Sequence, residues 1–251
     1  MIKHDAVLPW GLSGTASLAT PKNGKYEVEY AVKALRKYCP FVDRIFIVGD
    51  VPPDSIKELV EYIPCDNPYI HIKDANIIYR IKKAIETVSD LSDDFLKVSD
   101  DIIVTDNATW DDYAPQIKCM YKDHPVEWWK NLAHSSYWHT CLLKTIKKFD
   151  LNEAAWFEPH INCQLNKHKW LEMCDKWDIS KDTGVIDLTL YYNFTGQEKV
   201  RTHDHLHINN RNKQIIPTLR RDNIPLHLSW KDGAWKNKHF RNILEKIVFE
   251  E

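Results

Sequence analysis

The segment Phe95-Leu-Lys-Val-Ser-Asp-Asp-Ile-Ile-Val104 contains two adjacent aspartates within an otherwise apolar run. The short, β-branched flanks are typical of two buried strands, and carboxylates buried beside them are costly unless a positive charge lies against them. A divalent cation held by oxygen ligands is the usual solution. We therefore predict a metal site at Asp100 and Asp101, completed by an anionic ligand such as a diphosphate. A structural turn is the alternative, because aspartate is common in turns.

Strands and helices alternate around this segment over residues 1–105. The sequence predicts strands over 4–10, 44–49 and 69–72, and helices over 26–39, 53–62 and 74–88, with Asp74 as the cap of the last helix. This alternation predicts an α/β fold, in which a mostly parallel, twisted sheet carries helices on both faces.

The carboxyl ends of the predicted strands form a candidate binding crevice, because ligands of such sheets bind beyond those ends. The residues expected to line it are Pro9, Trp10, Gly11, Asp50, Ser99 and Asp100. Arg80 and Lys83 lie three residues apart on the helix before the aspartates, so they share a face and could neutralise a phosphate. Lys82 is expected on the solvated face of that helix.

Residues 106–251 are less regular and are rich in tryptophan, histidine and tyrosine. The sequence predicts helices over 138–149, 166–177 and 187–194, a strand over 200–208, and a closing helix that includes 243–248. Most tryptophans are expected in the core, and one or two could form a platform for a sugar ring or a base. No linker or internal repeat is evident, so we expect one domain over 1–251, with halves 1–105 and 106–251.

Several histidines are candidate functional residues. His203, His205 and His207 alternate along a predicted strand and therefore point to one face. We predict that one of them, with His203 and His205 as the candidates, joins the aspartates in binding the metal, and a separate zinc site is the alternative. His160 could be a general base, a ligand or a buried structural histidine. His227 is a further candidate ligand.

The composition argues against several classes of function. The net charge of -2 gives no overall basic field for nucleic acid. A local basic groove could still form from Lys144, Lys147, Lys148, Arg220 and Arg221. No apolar run approaches the roughly 20 residues of a membrane span, no signal-peptide core is present, and the cysteines are scattered singly, so we expect a cytoplasmic protein. The sequence contains neither a phosphate-loop motif nor Gly-x-Gly-x-x-Gly, which argues against P-loop kinases and the usual dinucleotide enzymes.

Residues 27–50, whose strand reads Arg44-Ile-Phe-Ile-Val-Gly-Asp50, resemble the second conserved region of Stealth-type capsular polysaccharide phosphotransferases. Residues 91–104 resemble the close of that region. The segments 158–160 and 188–193 resemble downstream segments of Stealth-like and related bacterial or phage glycosyltransferases. The start of the chain departs from the family, because no acidic residue follows Trp10, and this favours glycosyl transfer over sugar-phosphate transfer.

The resemblance implies a GT-A-like glycosyltransferase that uses a nucleotide-diphosphosugar donor. Asp100 and Asp101 would bind Mn²⁺ or Mg²⁺ against the diphosphate, and residues 106–251 would bind a hydroxyl acceptor. If the reaction inverts the sugar, His160 or Glu158 would deprotonate the acceptor, with Asp187 as the next candidate. A retaining reaction would require no such base.

Four other functions fit the sequence less well. Sugar-1-phosphate transfer of the Stealth type is the first, and transfer to modified bases in phage DNA, which would use the basic groove, is the second. A zinc hydrolase built on the histidine strand is the third. A non-catalytic sugar-binding module is the fourth, and it leaves the aspartate pair unexplained.

Overall fold

The computed structural model describes residues 2–11, 24–69, 72–157, 160–196, 205–209, 213–219 and 224–250. The strands are β1 His4–Trp10, β2 Val42–Gly49, β3 Glu61–Pro64, β4 Asp94–Lys97, β5 Ile102–Val104, β6 Cys119–Met120, β7 Ala155–Trp156, β8 Cys163–Asn166, β9 His205–Ile208 and β10 His227–Trp230. The helices are α1 Glu27–Tyr38, α2 Lys73–Thr87, α3 Val126–His134, α4 Tyr137–Ile146, α5 Lys167–Lys176, α6 Asp187–Thr195, α7 Asp232–Trp235 and α8 Lys238–Phe249. Short 3₁₀ turns occur at Asp54–Leu59, Trp110–Tyr113, Tyr121–Asp123 and Lys213–Thr218.

The central sheet has the strand order β3-β2-β1-β4-β8. Its first four strands are parallel, and β8 is antiparallel to β4. Alternate residues of β1 belong to different cores: Ala6 and Leu8 pack with α1 and α8, whereas Val7 packs with α2, α5 and α6. Helices therefore cover both faces, and the predicted α/β fold with a mostly parallel sheet is confirmed.

A second, three-stranded sheet has the order β5-β10-β9. In it β10 is antiparallel to β5 and parallel to β9. The chain crosses from β4 of the central sheet to β5 of this second sheet at Asp100 and Asp101. The Trp230 amide donates a hydrogen bond of 3.2 Å to the Asp101 carbonyl, which fixes this crossing point. The strands predicted on either side of the aspartates are confirmed, but they belong to different sheets.

Two predictions in the first half were wrong. The helix predicted over 53–62 is a 3₁₀ turn, Asp54–Leu59. The third strand of the central sheet is Glu61–Pro64, which was not predicted, and residues 70 and 71 of the strand predicted over 69–72 lie outside the described residues. This edge strand buries only Ile63, so it carries no apolar run that would reveal it in the sequence. Asp74 does not cap α2: Ile72 is the N-cap, and Asp74 lies within the first turn.

The helices predicted in the second half are confirmed with small changes in their ends. The expected helices over 138–149, 166–177 and 187–194 correspond to α4, α5 and α6, and the closing helix to α8. The strand predicted over 200–208 is described only as β9, His205–Ile208. Within the part of the chain that the structure describes, no helix has the length and apolar character needed to cross a bilayer.

Candidate active site

Arg80 lies at the carboxyl ends of the first two strands. Trp10 and Gly49 end β1 and β2 in register with each other. A Cβ atom added to Gly11 would come within 2.5 Å of the Arg80 Nη2 atom, and one added to Gly49 would lie 3.0 Å from its Cζ atom. The guanidinium therefore lies directly against both glycines, and any larger residue would displace it.

The backbone at Gly49 also requires glycine. Its φ is 137°, and a Cβ atom there would be 1.9 Å from the Trp10 carbonyl oxygen. The amide of Asp50 donates a 3.2 Å hydrogen bond to the same carbonyl, so the two strand ends are held closely together. The predicted crevice residues Trp10, Gly11 and Asp50 are thus brought to one place with Arg80.

The Arg80 side chain is equipped to bind an anion. Only 5% of the residue is exposed, and among the described residues its Nε and Nη2 atoms have no hydrogen-bond partner. Burial lowers the pKa of Arg80, while the charges of Asp50, Cys65 and Asp100 partly offset this effect. A buried guanidinium with unused donors is a strong binding group for phosphate or carboxylate.

Lys82 and Lys83, which follow Arg80 on the same helix, lie further out. Lys82 forms a surface ion pair of 2.6 Å with Glu86, as its predicted solvated position implies. Lys83 is exposed, and it is near enough to Cys65 to oppose the burial that raises the pKa of that thiol. The assignment of Lys83 to phosphate binding stays a prediction.

Asp100 and Asp101 are half-buried at the strand crossing. The amide of Ser99 donates a 3.1 Å hydrogen bond to the side chain of Asn162, which fixes the loop before them. Burial and the neighbouring charge of Asp101 raise the pKa of Asp100 to about 6, and the positive charge of Lys73 opposes this shift. The negative charge of Asp101 thus repels that of Asp100, and Lys73 offsets part of this effect.

This donor set fits a hard divalent cation, because both side chains offer carboxylate oxygens and a bound cation would relieve the repulsion between them. No group of three or more His, Cys, Asp or Glu side chains with a metal-binding arrangement occurs among the described residues. His203 lies outside them. The predicted participation of His203 or His205 therefore stays a prediction.

A buried cluster of alternating charges lies behind the aspartate pair. The Lys97 Nζ atom is 2.9 Å from the Asp187 Oδ2 atom, and both side chains are more than nine-tenths buried. Burial and the negative charge of Asp187, with a smaller effect from a hydrogen bond between the two carboxyl groups, raise the pKa of Asp74 to about 7. Asp74 and Asp187 occupy the first turns of α2 and α6, where the helix dipole favours negative charge.

His160 stacks on the second sheet. Its ring lies 3.8 Å from that of His207 at an angle of 9°, and the His207 Nδ1 atom is 2.8 Å from the Ser229 hydroxyl. The backbone of His160 has a φ of 51°, and the His205 ring is 6.4 Å away. Since Asn162 holds the Ser99 amide, His160 is kept near the aspartate loop.

The surroundings of His160 keep its imidazole neutral. Burial lowers its pKa to about 3, and the nearby positive charges of Lys118, His205, Lys231 and Lys73 act in the same direction. A neutral imidazole can accept a proton, but such a low pKa makes it a weak base.

The remaining predicted residues lie in the core, on the surface or outside the described part of the chain. Glu158, Arg220 and Arg221 lie outside the described residues. His227 is buried, with its Nε2 atom 3.2 Å from the Asp112 carbonyl, and it packs on Tyr113, so it belongs to the core. Lys144 and Lys148 both bind Asp182, which neutralises part of the proposed basic groove.

Sequence reasoning missed Lys73 and Lys97 as members of the site. For Lys97 a signal existed: a lysine within the apolar run Phe-Leu-Lys-Val must find a buried partner. For Lys73 no such signal existed, because a lysine at a helix start is ordinarily solvated.

Two solved structures with the same fold are glycosyltransferases. The galactosyltransferase LgtC, solved with donor and acceptor sugar analogues, superposes with a TM-score of 0.52 at 12% identity, covering 97% of this chain and 96% of that one. The glycosyltransferase GlyE of Streptococcus pneumoniae TIGR4 gives 0.50 at 13% identity, and this chain spans 61% of its length. Neither a family model nor a curated protein matches the sequence. At these identities the likeness establishes the fold, which is GT-A-like as expected.

Proposed function

We propose that this protein is a metal-dependent glycosyltransferase, which moves a sugar from a nucleotide-diphosphosugar to a hydroxyl acceptor. The observation that carries the proposal is the meeting of the aspartate pair Asp100–Asp101 with the buried, donor-rich Arg80 at the carboxyl edge of the sheet. The acidic pair suits a divalent cation, and the guanidinium suits a phosphate. Together they are complementary to a metal diphosphate. The fold shared with two glycosyltransferases supports the same reaction class.

The donor would lie across the strand ends. Trp10, Gly11 and Asp50 would contact its nucleoside part, and Arg80 would bind its phosphates. Asp100 and Asp101 would hold Mn²⁺ or Mg²⁺, which would supply charge stabilisation to the departing nucleoside diphosphate.

The acceptor would approach from the side of His160. An anionic donor beside Lys73, Lys118 and Lys231 would offset the charges that depress the pKa of His160, and so make it a better proton acceptor. Asp187 is less suited to this role, because it is enclosed and already bound by Lys97 and Asp74. Glu158 stays a candidate base. LgtC was solved with an acceptor sugar analogue, which supports a glycan acceptor rather than DNA.

A thermal-shift screen of nucleotide sugars, with Mn²⁺ or with a chelator, tests this proposal. We expect one nucleotide class to stabilise the protein only when Mn²⁺ is present, and Asp101→Asn to lose that effect while staying folded. Asp106→Asn, which changes an exposed aspartate beyond β5, is the matched control and should behave as wild type. Metal-dependent stabilisation that persists in Asp101→Asn would contradict the site assignment.

Product analysis then separates glycosyl transfer from sugar-phosphate transfer. Glycosyl transfer releases a nucleoside diphosphate, whereas sugar-1-phosphate transfer releases a nucleoside monophosphate and leaves a phosphodiester in the product. We expect the diphosphate.

A further inference from the structure

We propose that Tyr62, on the edge strand β3, is the platform on which the base of the nucleotide donor stacks. This inference rests on the proposed function and deepens it, since it assigns the nucleoside end of the donor to one aromatic side chain of the central sheet.

The Tyr62 ring is fixed at the carboxyl edge of the sheet. Tyr62 lies opposite Ile47 in the parallel pairing of β3 with β2. Its hydroxyl nevertheless donates a 3.0 Å hydrogen bond to the carbonyl of Gly49, two residues further along β2. The ring therefore runs along the strands towards their carboxyl ends, over a distance of roughly 7 Å. Because the hydroxyl is already held, the ring loses little conformational freedom when a ligand stacks on it.

The ring is also accessible. Tyr62 is 39% exposed, and among the described strands β3 forms the edge of the central sheet. The Gly49 carbonyl that holds the Tyr62 hydroxyl also accepts a 3.3 Å hydrogen bond from the amide of Cys65, so the ends of β2 and β3 are tied together beneath the ring. An exposed aromatic ring in a fixed position beside a binding crevice suits the stacking of a base.

The groups along this edge follow the order of the parts of a nucleotide. In the sheet order β3-β2-β1-β4, the aspartate pair follows β4, and the Arg80 guanidinium lies at the ends of β1 and β2. The Tyr62 ring lies at the ends of β2 and β3. Gly49 separates the two groups, because its Cα lies against Arg80 and its carbonyl binds Tyr62. With the diphosphate between the aspartates and Arg80, the ribose would lie over Gly49 and the base would reach Tyr62.

The test separates the nucleoside from the diphosphate. Wild type and Tyr62→Ala are titrated by calorimetry, in saturating Mn²⁺, with UDP, CDP, ADP and GDP and with inorganic pyrophosphate. We expect Tyr62→Ala to bind the nucleoside diphosphate that wild type prefers about tenfold more weakly, as suits the loss of one stacked base, and to bind pyrophosphate as wild type does. Tyr137→Ala, which removes another exposed tyrosine, on α4, is the matched control and should equal wild type with both probes.

Alkylation of the wild type by iodoacetamide gives a second readout that requires no substitution. Cys65 and Cys174 are half-buried, whereas the other four cysteines are buried. We expect the preferred nucleoside diphosphate with Mn²⁺ to slow the alkylation of Cys65, which lies beside the proposed base position, and to leave Cys174 in α5 unchanged. Equal alkylation of Cys65 with and without the bound nucleotide would contradict the placement of the base.

Three further results would overturn the inference. Wild-type affinity of Tyr62→Ala for the nucleoside diphosphate would show that the base does not stack on Tyr62, and the proposed function would stand. Equal weakening of nucleoside diphosphate and pyrophosphate would assign Tyr62 a structural role at the sheet edge only. Absence of nucleoside diphosphate binding in wild type would remove the proposed donor site and, with it, the platform.

Discussion

Replacing Lys97 with methionine tests the charge cluster that supports the site. The two side chains of the Lys97–Asp187 ion pair are only 8% and 6% exposed, so neither can recover hydration if the other is lost. Methionine has a similar length and an apolar stem, so the packing of β4 is kept and the change is mainly one of charge. Removing one partner of a buried pair typically costs about 3–5 kcal/mol.

The size of this loss should depend on pH, because Asp74 and Asp187 share a hydrogen bond. Without Lys97, the two carboxyl groups of Asp74 and Asp187 can reduce their negative charge by binding a further proton, and this protonation is more favourable at low pH. A carboxyl group whose folded-state pKa is raised contributes stability below its unfolded pKa and loses that contribution as the pH rises through its folded pKa. We therefore expect Lys97→Met to lose about 4 kcal/mol near pH 8 and clearly less near pH 5.

Urea denaturation followed by tryptophan fluorescence measures these free energies of unfolding. Lys97→Met with Asp187→Asn should recover part of the loss, because no unpaired charge is then buried. Lys82→Met is the matched control: its pair with Glu86 is exposed and separated by four residues, so its removal should cost under about 1 kcal/mol. A loss below about 1 kcal/mol in Lys97→Met, or one that is independent of pH, would refute the reasoning.

Three further changes have definite expected results. Gly49→Ala should lower the free energy of unfolding by about 3 kcal/mol, because its Cβ atom would meet the Trp10 carbonyl at a φ of 137°. The control Gly196→Ala, with a φ of 64° and open space around it, should cost only about 1 kcal/mol. Equal losses in urea denaturation would contradict this reasoning. Because the folded-state pKa of Asp74 is about 7 against an ordinary 3.8, the wild type should lose stability as the pH rises between these values, and Asp74→Asn should flatten that slope. His160→Ala should lower the transfer rate by roughly 10²–10⁴ while donor affinity barely changes, and a wild-type rate would return His160 to the structural core.

The central sheet could be predicted because its signal is local. The strands β1 and β2 are buried on both faces, so they read as continuous apolar runs, and α1 shows an apolar stripe of the helical period. The edge strands β3 and β8 have only four residues each, and neither is fully buried. Short, half-exposed strands owe their existence to a neighbouring strand, which the sequence does not identify.

The crevice could be predicted in part for a topological reason. Parallel strands bring their carboxyl ends to one edge, so Trp10, Gly11, Asp50 and Asp100 had to converge once the alternation of elements was recognised. The positions of Arg80 and Lys82 relative to the buried face of the helix predict that Arg80 points into this crevice and that Lys82 points away from it. None of these placements required knowledge of contacts between distant segments.

The rest of the site depends on such distant contacts. The stacking of His160 on His207 is set by where β9 lies in a second sheet, and the pairing of Lys97 with Asp187 by where α6 begins. The sequence shows that a lysine within an apolar strand needs a buried anion, because leaving it unpaired would be too costly. It does not show which of the many carboxylates meets it. Knowing that partner changes the interpretation of Asp187. Its carboxylate is already held by Lys97 and by the carboxyl group of Asp74, so it shapes the site and is poorly placed to take a proton from an acceptor.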